Sequence, residues 1–178
     1  MATMASSVIK KMILYFDGDI KRINHALKVY AFAKSIGELE DVSGEKLQIL
    51  ELASILHDIG IKESEKKYSS SAGKYQQIEG PPVARDLLQE FNIGQHFIDR
   101  VCYLIGNHHT YTRIDDIDFQ ILVEADFLVN IFEDDLGKEQ VNSIKQKYFK
   151  TKAGLSYLDS MYSSLSNLSF VTGQSRYP

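Results

Sequence analysis

The sequence predicts an all-α fold, a single-domain multi-helix bundle. Three observations predict it. Apolar residues recur at i, i+3, i+4 and i+7 through most of the chain, the spacing of one helix face. No segment of useful length alternates apolar and polar residues as a half-buried strand does. Only three prolines and eleven glycines interrupt 178 residues, so long helices have few breaks imposed on them.

Residues 6–16, SSVIKKMILYF, read as a short first helix. The segment FDGDIKR turns the chain, and Asp19 is a good N-cap for the next helix. From Ile20 to about Ile36 the apolar positions Ile23, Ala26, Leu27, Tyr30, Ala33 and Ile36 keep helical spacing, and Gly37 is a plausible stop. Ser43 opens a helix that runs to about His57. Residues 59–75, IGIKESEKKYSSSAGKY, exchange periodicity for charge, serine and glycine, which predicts an exposed loop. PPVARDLLQEF resumes helix, with Pro81 and Pro82 in its first turn. GQHFIDRVCYLIGNHH is another helix that closes near Asn107, and TYTRIDDID turns the chain. DFQILVEADFLVNIFEDD is the most apolar helix, and Gly137 stops it. Two weaker helices follow over 138–170, and TGQSRYP is a loose tail. The implied organisation is an N-terminal helix over 1–17 packed on a core of 18–135, with C-terminal helices over 136–178 completing the same domain.

Apolar residues make up 44% of the chain and charged residues 25%, an ordinary globular balance with enough length for a sizeable core. A net charge of −4 argues against nonspecific nucleic-acid binding, which needs a basic face. The single cysteine, Cys102, rules out a disulfide within the chain and points to a reducing compartment. No run approaches the ~18 apolar residues of a membrane span, and the first apolar run is too short for a secretory leader. The expected location is cytoplasmic.

Several polar residues stand where apolar ones belong. Asp126 lies within the stripe Leu122, Ala125, Val129 and Phe132, whereas Glu124 does not share that face and reads as solvated or supporting. His25 shares its face with Val29, Ala33 and Ile36. His57 and Asp58 end a helix whose preceding residues are Leu52, Ala53, Ile55 and Leu56. A buried, unpaired carboxylate costs several kcal/mol, so it must be protonated, paired or bound to a cation. Any one inward histidine is ordinarily a hydrogen-bonded core residue, and an Asp–His pair within a bundle is a second plain explanation. Two imidazoles and two carboxylates from three helices are all satisfied together by one divalent cation.

These residues resemble the HD-domain superfamily of metal-dependent phosphohydrolases. The matching positions are His25 in INHALKVY, His57-Asp58 in ILHDIG, and Asp126 in EADFLV, and the resemblance spans roughly 18–135. It implies His25, His57, Asp58 and Asp126 as metal ligands, with Mn, Fe, Co, Ni or Zn as the divalent ion. Some members of that family hold a second metal on additional histidines. Here His108-His109 match the later pair, while YQQIEG occupies the place of the earlier histidine, so Gln76 or Glu79 would have to stand in.

The resemblance implies hydrolysis of a phosphate ester or anhydride, often in a nucleotide. Asp58 would ligate the metal and orient water, and His108 and His109 would handle phosphate and protons. Lys62, four residues past Asp58, and the lysines at 66, 67 and 74 would line the mouth, with Arg113, Tyr68 and Tyr111 as further candidates. Three alternatives remain open from sequence: a di-iron oxygenase on the same fold, a sensor that binds a nucleotide or metal without turnover, and a plain helical bundle with buried polar pairs. The expected partners are a small phosphorylated substrate and, through tyrosines in YLDSMYSSL, a second copy in a homodimer; neither a membrane nor a nucleic acid is expected.

Overall fold

The computed structural model describes residues 3–167. Among these, nine α-helices follow in chain order: α1 (Met4–Phe16), α2 (Ile20–Leu39), α3 (Gly44–Leu56), α4 (Ile61–Tyr68), α5 (Gly73–Leu88), α6 (Gln95–Ile105), α7 (Ile117–Glu133), α8 (Lys138–Tyr148) and α9 (Lys152–Asn167). A 3-10 turn at Tyr111–Arg113 joins α6 to α7, and no strand occurs among the described residues. The tail TGQSRYP lies outside them.

The bundle is built around α7. Phe119, Leu122, Ala125 and Leu128 are fully buried, so this helix meets protein on almost every side. Helices α2 and α3 pack on it and on each other, closing the core with Val29, Ala33 and Ile36 from one and Leu50, Leu52 and Leu56 from the other. Helix α1 lays Val8 and Met12 across α3, α6 covers α3 from another side, and α8 and α9 close against α7.

Two buried carboxylates of α7 tie its neighbours to it. Asp118 accepts from the Arg100 guanidinium at 2.6 and 3.0 Å, and Asp115 takes the rest of that fork at 2.8 and 2.9 Å. Glu124 accepts from the backbone N–H of Lys150 at 2.6 Å, the N–H of Thr151 at 3.0 Å, and the Thr151 hydroxyl. It therefore holds the entry to α9, where a negative charge complements the helix dipole. The solvated position expected for Glu124 is not observed: its side chain is buried, and four donors, counting Gln120, satisfy it.

Several expectations are corrected. Residues 61–68 are helical rather than loop, because Ile61 and Ser64 turn inward one turn apart while the lysines and glutamates remain helix formers facing outward. Helix α5 starts at Gly73, so Pro81 and Pro82 sit in its middle and leave the Gln77 and Ile78 carbonyls without intrahelical donors. Gly37 does not stop α2, which continues to Leu39; a Cβ there would press to 2.9 Å from Leu47, so the glycine admits α3. Phe132 is 76% exposed, since the last turn of α7 turns Asn130 and Glu133, not Phe132, toward the rest of the bundle. Apart from these corrections, the two tyrosines of YLDSMYSSL are half-buried: Tyr157 shares a hydrogen bond with Ser35, and Tyr162 donates to the Leu128 carbonyl.

Candidate metal centre

Just past the end of α3, at the His57-Asp58 doublet, the chain passes hard against α5. The next turn brings Gly60 against the backbone of α5, where a Cβ would lie 2.5 Å from the Gln76 carbonyl oxygen and 2.5 Å from the Gly80 nitrogen. The chain is therefore pinned just past the doublet, and His57 and Asp58 are held at the crossing of α3, α5 and α7. Helix α2 supplies His25, α7 supplies Asp126, and the segment after α6 supplies His108 and His109.

The inward atoms converge. His25 Nε2 lies 3.1 Å from His57 Nε2, 3.2 Å from Asp126 Oδ1 and 3.6 Å from Asp58 Oδ2. His57 Nε2 lies 3.6 Å from each of Asp58 Oδ2 and Asp126 Oδ1. The other Asp58 oxygen, Oδ1, lies 3.5 Å from His108 Nε2. Asp58 is thus shared by two groups whose ligand atoms fall within 4.8 Å of one another, His25–His57–Asp58 and Asp58–His108–His109.

The outward atoms fix the tautomers. His57 Nδ1 donates to the Ser54 carbonyl at 2.8 Å, and His108 Nδ1 donates to the Ile105 carbonyl at 2.7 Å. A carbonyl only accepts, so both Nδ1 atoms carry hydrogen. His25 Nδ1 faces Glu133 Oε2 at 3.0 Å in the same sense. Three Nε2 atoms are therefore directed inward beside two carboxylates, and each would offer a lone pair to a cation that displaces its proton. The Nε2 of His108 is buried with no hydrogen-bond partner, an orphaned acceptor that calls for a cation. This donor set, with outer partners orienting each imidazole, fits a divalent ion. Mixed nitrogen and oxygen donors suit several first-row metals and do not select one.

Charge in the cluster follows the same logic. Burial alone would lower the His57 pKa, but Asp58 and Asp126 outweigh it and raise it to about 9. Burial would raise Asp58 and Asp126, and the imidazoles instead hold both well below the usual carboxylate range. His109 differs: burial, then the neighbouring His108, pushes it down to about 4, so it stays neutral.

A sign follows for the metal-free protein. A folded pKa above the unfolded value of about 6.5 stabilises below that value, and the contribution is lost as pH rises through about 9. The carboxylate contributions are lost only in acid. With chelator present, the melting temperature is therefore expected to fall by several degrees between pH 6.5 and 9, at roughly 2–4 °C per kcal/mol for a chain of this size. Added metal displaces the imidazole protons, so the rise in melting temperature it produces grows over the same interval. Thermal scans with and without chelator check this, and a metal-induced rise independent of pH contradicts it.

Other candidates sit elsewhere. The Lys62 ammonium donates to the Tyr15 carbonyl at 2.8 Å and lies over the Tyr15 ring, so its expected place at the mouth is not what its contacts show. Lys67 and Tyr68 bind Glu79, which occupies that carboxylate away from the cluster. Lys66 faces Glu63 at 3.9 Å, Lys74 lies over Tyr75, and Arg113 donates to Asn107. Of the two proposed stand-ins, Gln76 is the one at the site, its Oε1 3.3 Å from His109 Nε2. Sequence reasoning missed Glu133 and Asn130. Asn130 donates to Asp126 at 2.9 Å, and Glu133, also paired with Lys28, orients His25. Their signal was spacing, because 126, 130 and 133 share one face of α7.

The sequence matches the family model for the HD domain over residues 22–149. A solved structure of a predicted HD superfamily hydrolase from an uncultured Thermotogales bacterium superposes with a TM-score of 0.66 at 22% identity, covering 89% of this chain and 85% of that one. No protein of curated function matches.

Proposed function

The chain belongs to the HD domain family, and on that premise we propose that it is a metal-dependent phosphohydrolase acting on a phosphate ester or anhydride of a small metabolite, a nucleotide in the first instance. The observation that carries this reading is the set of three imidazole Nε2 atoms and two carboxylates aimed at one space. His25, His57, Asp58 and Asp126 would hold the ion. A divalent cation bound there supplies Lewis acidity toward a phosphoryl oxygen and lowers the pKa of coordinated water from about 15.7 toward ~7.

The side chains do the rest by position. Glu133 and the Ser54 carbonyl lock the rings of His25 and His57. Asp58 is ionised and presents one oxygen to each histidine group, so it can accept a hydrogen bond from water and orient it. His109 is a weak base with its pKa near 4, and its neutral ring, bonded to Gln76, serves as a hydrogen-bonding wall. Asp58, His108 and His109 together would accept a second cation.

The test is release of phosphate or pyrophosphate from nucleoside mono-, di- and triphosphates and simple phosphomonoesters with Mn added. Turnover of at least one class, abolished by chelator, is expected. Protein shown by elemental analysis to be metal-loaded, yet inert toward the whole panel, would overturn the reading.

A further inference from the structure

Among the described residues, two cavities reach the candidate metal cluster, and they differ in charge. The opening between α2, α5 and the end of α7 has a volume of about 490 Å³ and is lined by the carboxylates Asp19, Asp58, Glu133 and Asp134 against Lys21 and Arg22. Arg22 is already held by Asp19 at 2.8 Å and Glu65 at 2.5 Å. The lining side chains thus carry four carboxylates against two cations, with Glu133 also paired to Lys28 and Asp58 assigned to the ion, so Arg22 is not free to receive a polyanion there. The other opening is a cleft of about 650 Å³ that starts at His109 and runs past Tyr111, Thr112 and Tyr148 to Lys147 and Lys150. His109 links it to the cluster, its ring centroid 3.9 Å from that of His108.

No carboxylate lines this cleft among the described residues. Of the basic side chains nearby, Lys145 is paired with Asp159 at 2.5 Å, whereas the ammonium groups of Lys147 and Lys150 have no carboxylate partner among the described residues, that of Lys150 donating to the Gln146 carbonyl at 3.4 Å. The buried carboxylate that bonds the cleft residues Gln120 and Lys150, Glu124, is already satisfied by four donors. The floor is fixed by stacking, with Tyr148 on Phe127 at 4.9 Å and Tyr111 against both. A cleft of this size suits a small-molecule ligand.

We propose that the cleft is an anion subsite in which Lys147 and Lys150 hold phosphate groups beyond the one presented to the metal cluster, so that the substrate is polyphosphorylated and its body leaves the site on the α8 side. This rests on the phosphohydrolase reading for the reaction but not for the binding. Thr112, Tyr111 and Tyr148 line the same wall, and their hydroxyls can donate to phosphate oxygens. Exposed lysines are screened by salt, so the contribution weakens as ionic strength rises.

The experiment uses the full chain and two readouts. First, inorganic tripolyphosphate is titrated into chelator-treated protein, where no turnover occurs. Binding is expected to weaken at least tenfold in Lys147→Ala/Lys150→Ala and to be restored in Lys147→Arg/Lys150→Arg, with the melting temperature of metal-free protein unchanged. Second, with metal added, KM for a nucleoside triphosphate is expected to rise about tenfold in the alanine variant with kcat retained, while KM for p-nitrophenyl phosphate stays the same. Equal tripolyphosphate binding by all three proteins overturns the subsite. Charge-dependent binding with no hydrolysis by the unaltered protein would keep the subsite and remove the phosphohydrolase reading.

Discussion

Asp58→Asn is expected to lose on the order of 10³-fold in kcat, more than the 10–100-fold that loss of an outer metal partner costs. The substitution keeps the shape and one acceptor oxygen, so it tests charge rather than packing. Asp58 alone among the proposed ligands presents one oxygen to His25 and His57 and the other to His108. An amide binds a divalent ion weakly, and its nitrogen would place two hydrogens against an imidazole lone pair. Metal content by elemental analysis should fall with activity. A second consequence separates this from misfolding. Asp58 is the largest influence holding the His57 pKa up against burial, so without it the imidazole loses its proton nearer neutrality. The chelator-treated variant should therefore lose most of the fall in melting temperature between pH 6.5 and 9. A variant with full turnover at saturating metal would remove Asp58 from the chemistry.

The candidate centre was legible in sequence wherever a polar residue broke an apolar helical period. His25 and Asp126 are such breaks, and their neighbours Val29, Ala33, Leu122 and Ala125 are indeed fully buried. The residues around them were harder to read because nothing in their local pattern is odd. Glu133 ends a helix, where a carboxylate looks solvated, and only its distance from Asp126 along one face connects it to His25. Gln76 was read only as one of two stand-ins beside Glu79, because taking residues 59–75 as loop left the first turns of α5 unplaced. Helix α4 buries only Ile61 and Ser64, too short a stripe for periodicity to detect. Lys62 shows the converse error. Proximity to Asp58 in sequence gives no direction, and the new helix that begins at Ile61 turns Lys62 toward α1 and Tyr15. The two lysines of the cleft gave no sequence signal, since isolated basic residues on a weak helix and just past its end are ordinary; what distinguishes them is a cleft with no carboxylate in its lining among the described residues.

Gly60→Ala is expected to cost about 4 kcal/mol of stability, at the exceptional end for a single substitution. Most overpacking strains a side chain that can change rotamer. Here the added Cβ meets backbone on the far side, the Gln76 carbonyl oxygen and the Gly80 nitrogen each at 2.5 Å, with the Gly80 Cα at 2.9 Å. Neither helix has a flexible end to give at that point. Gly80 in turn is pressed from behind, since a Cβ on it would lie 2.6 Å from Ile105. The strain therefore passes into α5 and α6, the helix that precedes His108. As α5 withdraws, Gln76 leaves His109, and the wall of the site opens before the chain unfolds globally. Urea unfolding gives the stability change, and kcat measured well below the transition gives the local one; both should fall, the second without loss of helical signal. The glycine after the His-Asp doublet is thus a packing requirement that positions the proposed ligand pair: no side chain fits between it and the backbone of α5. A Gly60→Ala protein within about 0.5 kcal/mol of the parent would show that α5 is free to move, and with it that the doublet is held by something other than this crossing.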